Sequence, residues 1–164
     1  MAQTLVLLTA SADETRAVGE AVATVLQPGD VVALSGDLGS GKTVFVQGAA
    51  RALGVDEPVV SPTFTLVREY AGRLPVTHLD VFRLERIQEV LDLGFEEMLD
   101  AGGVVFIEWG DAIETMLPAS YLLVALTTTE QDLARRAMFL RGVGPAWESR
   151  WDGLTAVTAA WAAE

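Results

Sequence analysis

The 164-residue chain contains no cysteine, which excludes disulfides, thiolate metal sites and cysteine nucleophiles together. It also has no uninterrupted apolar run approaching the ~20 residues that span a bilayer. This holds although 51% of its residues are hydrophobic and its mean hydropathy is +0.35. The N-terminus, MAQTLVLLTASADE, lacks the basic segment of a secretory signal peptide. These absences make the cytoplasm the expected location and argue against a membrane role.

Basic residues are scarce as well. The chain has eleven lysines and arginines and 23 acidic residues, so its formal net charge is −12. A surface of that sign repels phosphate backbones, and we therefore do not expect the chain to bind nucleic acid on its own. The acidity suits docking onto a basic partner, and it equally suits simple solubility.

A glycine-rich stretch stands out against this background. Residues 36–43 read GDLGSGKT and fit the phosphate-loop pattern G-x-x-x-x-G-K-[ST]. A short apolar run at 31–34 precedes the stretch, and the helix-compatible run Val44–Leu53 follows it. Backbone N–H groups of such a loop wrap phosphates, and the helix adds its positive dipole end. The pattern predicts nucleotide binding by Gly36, Asp37, Leu38, Gly39, Ser40, Gly41, Lys42 and Thr43, with Lys42 on the β/γ-phosphates and Thr43 on Mg²⁺.

Two acidic residues follow predicted strands and are candidates for catalysis. Asp80 ends VTHLD and Glu108 ends VVFIE. Nucleotide hydrolysis needs an acidic residue at the end of a neighbouring strand to hold Mg²⁺ at the phosphates. The carboxyl ends of central strands form the usual ligand crevice of open α/β sheets. The alternative for either residue is a strand-end carboxylate that faces water.

Three further residues have two interpretations each. Trp109 could stack on an adenine or lie near the phosphates, or it could pack in the core. Thr63 could sense the γ-phosphate or Mg²⁺, as threonines of switch loops do, or it could belong to a Pro-Thr turn. His78, the only histidine, is expected to be a packed or hydrogen-bonded core residue rather than a catalyst.

The order of elements predicts one domain spanning residues 1–164, with a three-layer α/β fold that resembles P-loop NTPases. Its sheet should be mixed, with a parallel centre and antiparallel edges. The predicted elements are a strand at Thr4–Thr9; a helix capped by Ser11 and Glu14 and ending near Leu26; a loop at Val59–Phe64; a hairpin of Thr65–Tyr70 and Leu74–Val81; two short acidic helices within Arg86–Asp100; a buried strand at Val104–Ile107; a second hairpin of Tyr121–Thr127 and Ala134–Arg141; a break at Val143–Pro145; and a tail helix at Ala146–Ala162.

Four motifs taken together resemble those of one family. GDLGSGKT at 36–43, SPTFTL at 61–66, HLDVFRL at 78–84 and FIEWGD at 106–111 occur in an order and at spacings similar to those of the TsaE (YjeE) family. That family comprises small bacterial ATPases of tRNA threonylcarbamoyladenosine biosynthesis. The resemblance covers Leu5 to about Gly144.

The resemblance implies an ATPase that uses ATP/ADP and Mg²⁺ and works with the TsaD and TsaB proteins. Those proteins modify adenosine 37 of tRNAs reading ANN codons, so this chain would meet tRNA only indirectly. By position, Lys42 would hold the β/γ-phosphates, Thr43 and Glu108 would hold Mg²⁺, Asp80 would support hydrolysis and Trp109 would lie beside the nucleotide.

Some further positions lie in the family's motifs, and others depart from them. Ser61, Thr63 and Arg83 lie in matching motifs. Phe82 replaces a common tyrosine, and residues 110–112 lack an arginine that many members carry.

Two alternatives to a partner-dependent ATPase remain. The first is a small-molecule kinase, which needs an acceptor pocket and a mobile lid bearing arginine. Only Arg135 and Arg136 form a basic pair after the central strands, and their predicted place in a hairpin counts against a lid. The second is a nucleotide-binding assembly module with negligible turnover, which the sequence does not separate from an ATPase.

Overall fold

The computed structural model describes residues 3–37, 39–60, 67–81, 87–92, 94–109, 115–128 and 135–163. Its strands are β1 (Gln3–Thr9), β2 (Val31–Ser35), β3 (Val67–Tyr70), β4 (Val76–Asp80), β5 (Val104–Glu108), β6 (Tyr121–Thr128) and β7 (Arg136–Val143). Its helices are α1 (Ala12–Ala23), α2 (Lys42–Ala52), α3 (Ile87–Asp92), α4 (Phe95–Asp100) and α5 (Pro145–Val157), followed by a 3₁₀ turn at Ala159–Trp161. Among the described helices, none has both the length and the apolar character needed to cross a bilayer.

All seven strands join one sheet in the order β1-β7-β6-β2-β5-β4-β3. The four inner strands, β6, β2, β5 and β4, run parallel to one another. The outer strands β3, β7 and β1 pair antiparallel with their neighbours. The predicted mixed sheet with a parallel centre is confirmed, and so are both hairpins. Thr65, Leu66 and Ala134, which the hairpin predictions included, lie outside the described residues.

Strands β2 and β5 are apolar up to their last residue because helices cover both faces of the sheet there. Every residue of β5 is buried. Side chains alternate along a strand, so Phe106 packs with the cluster beneath α1, α2 and α5, whereas Ile107 packs with Phe95 of α4 on the opposite face. This arrangement is the three-layer fold that the sequence predicts.

Helix α1 begins as predicted but ends earlier than expected. The Ser11 hydroxyl accepts the Glu14 N–H at 3.1 Å, and the Glu14 carboxylate accepts the Ala10 N–H at 3.2 Å. At the other end the backbone N–H groups of Val25 and Leu26 bond to carbonyls three residues back. The last turn is therefore 3₁₀ in character, which places the end of the α-helix at Ala23 rather than at Leu26.

The tail helix also differs from its prediction at both ends. Pro145 was expected to break structure, yet it is the first residue of α5, where its missing N–H costs no hydrogen bond. The α-helix stops at Val157 and a 3₁₀ turn follows, so helical structure does not continue unbroken to Ala162. Trp147 and Trp151 of this helix are buried in the core.

A largely buried ion pair fixes α5 to the turn before β2. The Arg150 guanidinium donates to both oxygens of Asp30 at 2.6 and 2.8 Å and to the Val25 carbonyl at 2.9 Å. It also lies over the Trp147 ring, 4.2 Å from the ring centre. Bidentate geometry and low exposure make this contact stronger than a surface pair.

We expect Arg150→Ala to lower the free energy of unfolding by about 2–3 kcal/mol, because it leaves the Asp30 carboxylate buried without its cation. Arg51→Ala is the matched control, since Arg51 pairs with Glu20 on the surface, where removal costs under ~1 kcal/mol. Urea unfolding measures both variants. Equal losses would show that the Arg150 contact is no stronger than a surface pair.

Candidate functional site

The glycine-rich loop joins β2 directly to α2 and needs its glycines for steric reasons. Gly36 has φ +136°, and a Cβ there would lie 2.4 Å from the backbone oxygen of Leu126 on β6. Gly41, with φ +108°, turns the chain into α2 at Lys42. L-residues with a Cβ rarely adopt such values, so the phosphate-loop pattern matches a loop conformation that requires glycine.

The Lys42 ammonium group lies inside this loop. Its Nζ donates to the Gly36 carbonyl at 2.6 Å and to the Asp37 carbonyl at 3.0 Å, and the residue is only 4% exposed. A buried ammonium needs such acceptors to offset the loss of water. The side chain therefore folds back along the loop that precedes it.

The Glu108 carboxylate connects the loop helix to two central strands. Its Oε2 accepts the Thr43 hydroxyl at 2.9 Å and lies 2.5 Å from Nε2 of His78. When the carboxylate is ionised it is the acceptor of this bond, and the donor is then the Nε2–H tautomer of the imidazole. Thr43 on α2, Glu108 on β5 and His78 on β4 thus form one hydrogen-bonded row, in which Glu108 and His78 are buried.

Strand alternation explains why these side chains meet. Val76 on β4 and Phe106 on β5 both face α2, and residues two positions further along each strand share that face. His78 lies opposite Phe106 in the strand register, and Asp80 lies opposite Glu108. Asp80 is 3% exposed, so the two predicted acids lie side by side where the parallel strands end.

The oxygen donors at this edge fit a magnesium ion. Thr43 supplies a hydroxyl and Glu108 supplies a carboxylate, which are hard ligands of the kind that Mg²⁺ prefers. Within the described ranges, no group of three or more His, Asp or Glu side chains is arranged as a metal site. Mg²⁺ in nucleotide sites needs fewer protein ligands, because phosphates and waters complete its octahedron.

Trp109 follows Glu108 in a conformation unusual for a bulky residue. Its φ of +66° is the only positive value among the described non-glycine residues. The Trp109 N–H donates to the Leu34 carbonyl at 2.7 Å, and the ring lies 4.0 Å from Lys42 Nζ. The left-handed backbone thus turns the ring towards the loop. The sequence is compatible with a ring that stacks on an adenine, lies near the phosphates or packs in the core. In the structure the ring lies beside the Lys42 ammonium group. It also packs against the core cluster around Ile107.

Arg136, at the start of β7, contacts the loop and was not predicted as a site residue. Its Nε donates to the Ser40 carbonyl at 2.6 Å and its Nη2 to the Gly39 carbonyl at 3.0 Å. The residue lies 96 positions after Ser40, so no local pattern in the sequence indicates the contact. Its place in the second hairpin is as predicted.

Several predicted residues lie outside the described part of the chain: Leu38, Ser61, Thr63, Phe82, Arg83 and residues 110–112. Their assignments stay predictions.

Comparison with known proteins identifies the family of the chain. The model of the family "Threonylcarbamoyl adenosine biosynthesis protein TsaE" matches residues 9–138. The chain belongs to the TsaE family. Its role is therefore in tRNA threonylcarbamoyladenosine biosynthesis.

Relatives from distant bacteria support the assignment. The TsaE protein of Bacillus subtilis is 40% identical over 85% of this chain and 87% of its own length. That of Treponema pallidum is 42% identical, covering 71% and 86%. The crystal structure of B. subtilis YdiB superposes with a TM-score of 0.81 at 34% identity and covers 95% of this chain and 97% of that one. The TsaE family and the P-loop NTPase fold are thus both confirmed.

We expect His78→Met to destabilise the protein by about 1–3 kcal/mol more than His78→Gln. The two side chains are similar in size, but only glutamine can donate a hydrogen bond to the Glu108 carboxylate. Urea unfolding of both variants measures the difference. Equal stabilities would show that packing of the histidine, rather than its hydrogen bond, is what the fold requires.

Proposed function

We propose that this TsaE-family chain is an ATPase that binds and hydrolyses ATP with Mg²⁺ in support of the TsaB–TsaD machinery. That machinery would form N6-threonylcarbamoyladenosine at position 37 of tRNAs reading ANN codons, in the cytoplasm. The observation that carries the proposal is the contact between the Thr43 hydroxyl and the Glu108 carboxylate, 65 positions apart in sequence. It joins the phosphate loop to an acid on the neighbouring strand, which phosphate binding alone would not require.

Lys42 is the residue that would change partners when a nucleotide binds. Its ammonium is already inside the loop on the Gly36 and Asp37 carbonyls. Phosphate oxygens are stronger acceptors than carbonyls for a cation because both partners are then charged. We therefore propose that Lys42 exchanges these carbonyls for the β/γ-phosphates, while the Trp109 ring covers its outer side.

Thr43 and Glu108 would hold Mg²⁺, which when bound neutralises charge on the phosphates. Glu108 uses Oε2 for both Thr43 and His78, so these two donors fix the orientation of the carboxylate. Asp80, beside it on β4, would accept a hydrogen bond from the attacking water and so orient it for hydrolysis.

The charge of the chain fits a partner-dependent role. With a net charge of −12, the protein would reach tRNA through TsaB and TsaD rather than directly. A kinase remains the alternative, but Arg136 does not resemble a mobile lid, because it binds loop carbonyls from an ordered strand.

Lys42→Ala and Glu108→Gln should separate binding from turnover. The first should weaken ADP binding at least about a hundredfold, because it removes a buried charge-assisted contact to phosphate. The second should retain most ADP affinity while reducing Mg²⁺-dependent ATP hydrolysis about a hundredfold or more. Calorimetry and phosphate release measure the two quantities. Glu69→Gln, on the exposed edge strand β3, is the charge control.

ADP affinity in folded Lys42→Ala within about tenfold of wild type would contradict the role of the loop. Equal loss of binding and turnover in Glu108→Gln would contradict the magnesium role.

The rate of ATP hydrolysis by the pure protein should rise when TsaB and TsaD are added together, because the proposed hydrolysis acts in support of those partners. Glu108→Gln should show no such rise. A rate unchanged by the partners, or ATP-dependent phosphorylation of a small acceptor, would favour the binding module or the kinase instead.

A further inference from the structure

Arg136 binds the phosphate loop through a different pair of carbonyls from the pair that Lys42 binds. Lys42 donates hydrogen bonds to the carbonyls of Gly36 and Asp37. Arg136 donates hydrogen bonds to the carbonyls of Gly39 and Ser40. The guanidinium forms these two bonds with Nε and Nη2, which lie side by side in one rigid plane. Two consecutive peptide groups are therefore held by one planar donor.

The orientation of those carbonyls determines where the neighbouring N–H groups point. In a trans peptide the C=O and N–H of one unit point in opposite directions, and no cis peptide occurs in the described chain. The Gly39 carbonyl shares its peptide with the Ser40 N–H, and the Ser40 carbonyl shares its peptide with the Gly41 N–H. Arg136 thus turns both N–H groups away from itself, towards the inside of the loop. The Ser40 N–H does bond to the Asp37 carbonyl, which also accepts from Lys42.

The start of α2 has no side chain that competes for these donors. Gly41 is the N-cap and makes no side-chain cap, and the first turn contains no acidic residue. A cation bonded to a carbonyl also polarises the peptide and strengthens its N–H as a donor. The contact would therefore both orient and strengthen the groups that face an anion.

We infer that Arg136 is a positioning residue for nucleotide phosphates. It holds the Ser40–Gly41 peptide so that the Gly41 N–H faces the phosphate position before any nucleotide arrives, while the Ser40 N–H bonds to the Asp37 carbonyl. The inference rests on the proposed nucleotide binding and adds to it a contribution from β7, outside the phosphate-loop motif.

Calorimetry with ADP on three variants of the full chain tests this. Arg136→Gln should raise the ADP dissociation constant about tenfold or more, and Arg136→Lys should raise it less, because a single ammonium replaces the two-pronged donor. Arg141→Gln removes the same charge from an exposed position on β7 and should change the constant less than about twofold. Saturating ADP should shift the Gly41 amide proton resonance in wild type and Arg141→Gln, and shift it less in Arg136→Gln.

ADP affinity in folded Arg136→Gln within about twofold of Arg141→Gln would overturn the inference. If Arg136→Gln does not fold, Arg136→Lys decides: wild-type affinity together with a wild-type Gly41 shift would overturn it, and a weakened affinity would support it. Failure of the wild-type protein to bind ADP would instead contradict the proposed function, so the two are distinguishable.

Discussion

The buried ammonium of Lys42 is the constraint on which the site depends. A charge that is almost fully removed from water must have acceptors, and the loop provides two of its own carbonyls for this purpose. That geometry requires the chain to turn sharply at Gly36, where a side chain would strike the backbone of β6. The Trp109 ring also covers part of the ammonium group and so helps to exclude water from it. The strained backbone of Trp109 is consistent with this demand, because left-handed conformations of bulky residues persist only where their surroundings impose them.

Around this charge the sheet brings together residues that are distant in sequence. The row from Thr43 through Glu108 to His78 joins α2, β5 and β4, and Arg136 joins β7 to the same loop. The loop is therefore held from the strands on both sides of β2. Such support from rigid elements is what holds a site in its productive geometry before a ligand binds.

Local patterns made much of this predictable. The loop, the two acids at strand ends and the mixed sheet could be predicted because each depends on a short motif or on strand periodicity. His78 could be predicted only as a hydrogen-bonded core residue, since its partner Glu108 lies 30 positions away. Arg136 could not be predicted at all, because its contact depends on which strand lies beside the loop. The α-helices α1 and α5 end before their predicted last residues because each continues as a 3₁₀ turn. Helix propensity does not locate such a change at a helix end.

Lys42 is the only lysine in the chain, so a protein labelled with lysine carrying ¹³C at Cε alone gives one side-chain signal for the group at the centre of the site. In the free protein the signal should be displaced by the Trp109 ring, and Trp109→Phe should reduce that displacement. Adding Mg²⁺ and ADP should move the signal as the ammonium exchanges carbonyls for phosphates. A signal that stays in place while calorimetry shows ADP bound would contradict the assignment of Lys42 to the phosphates.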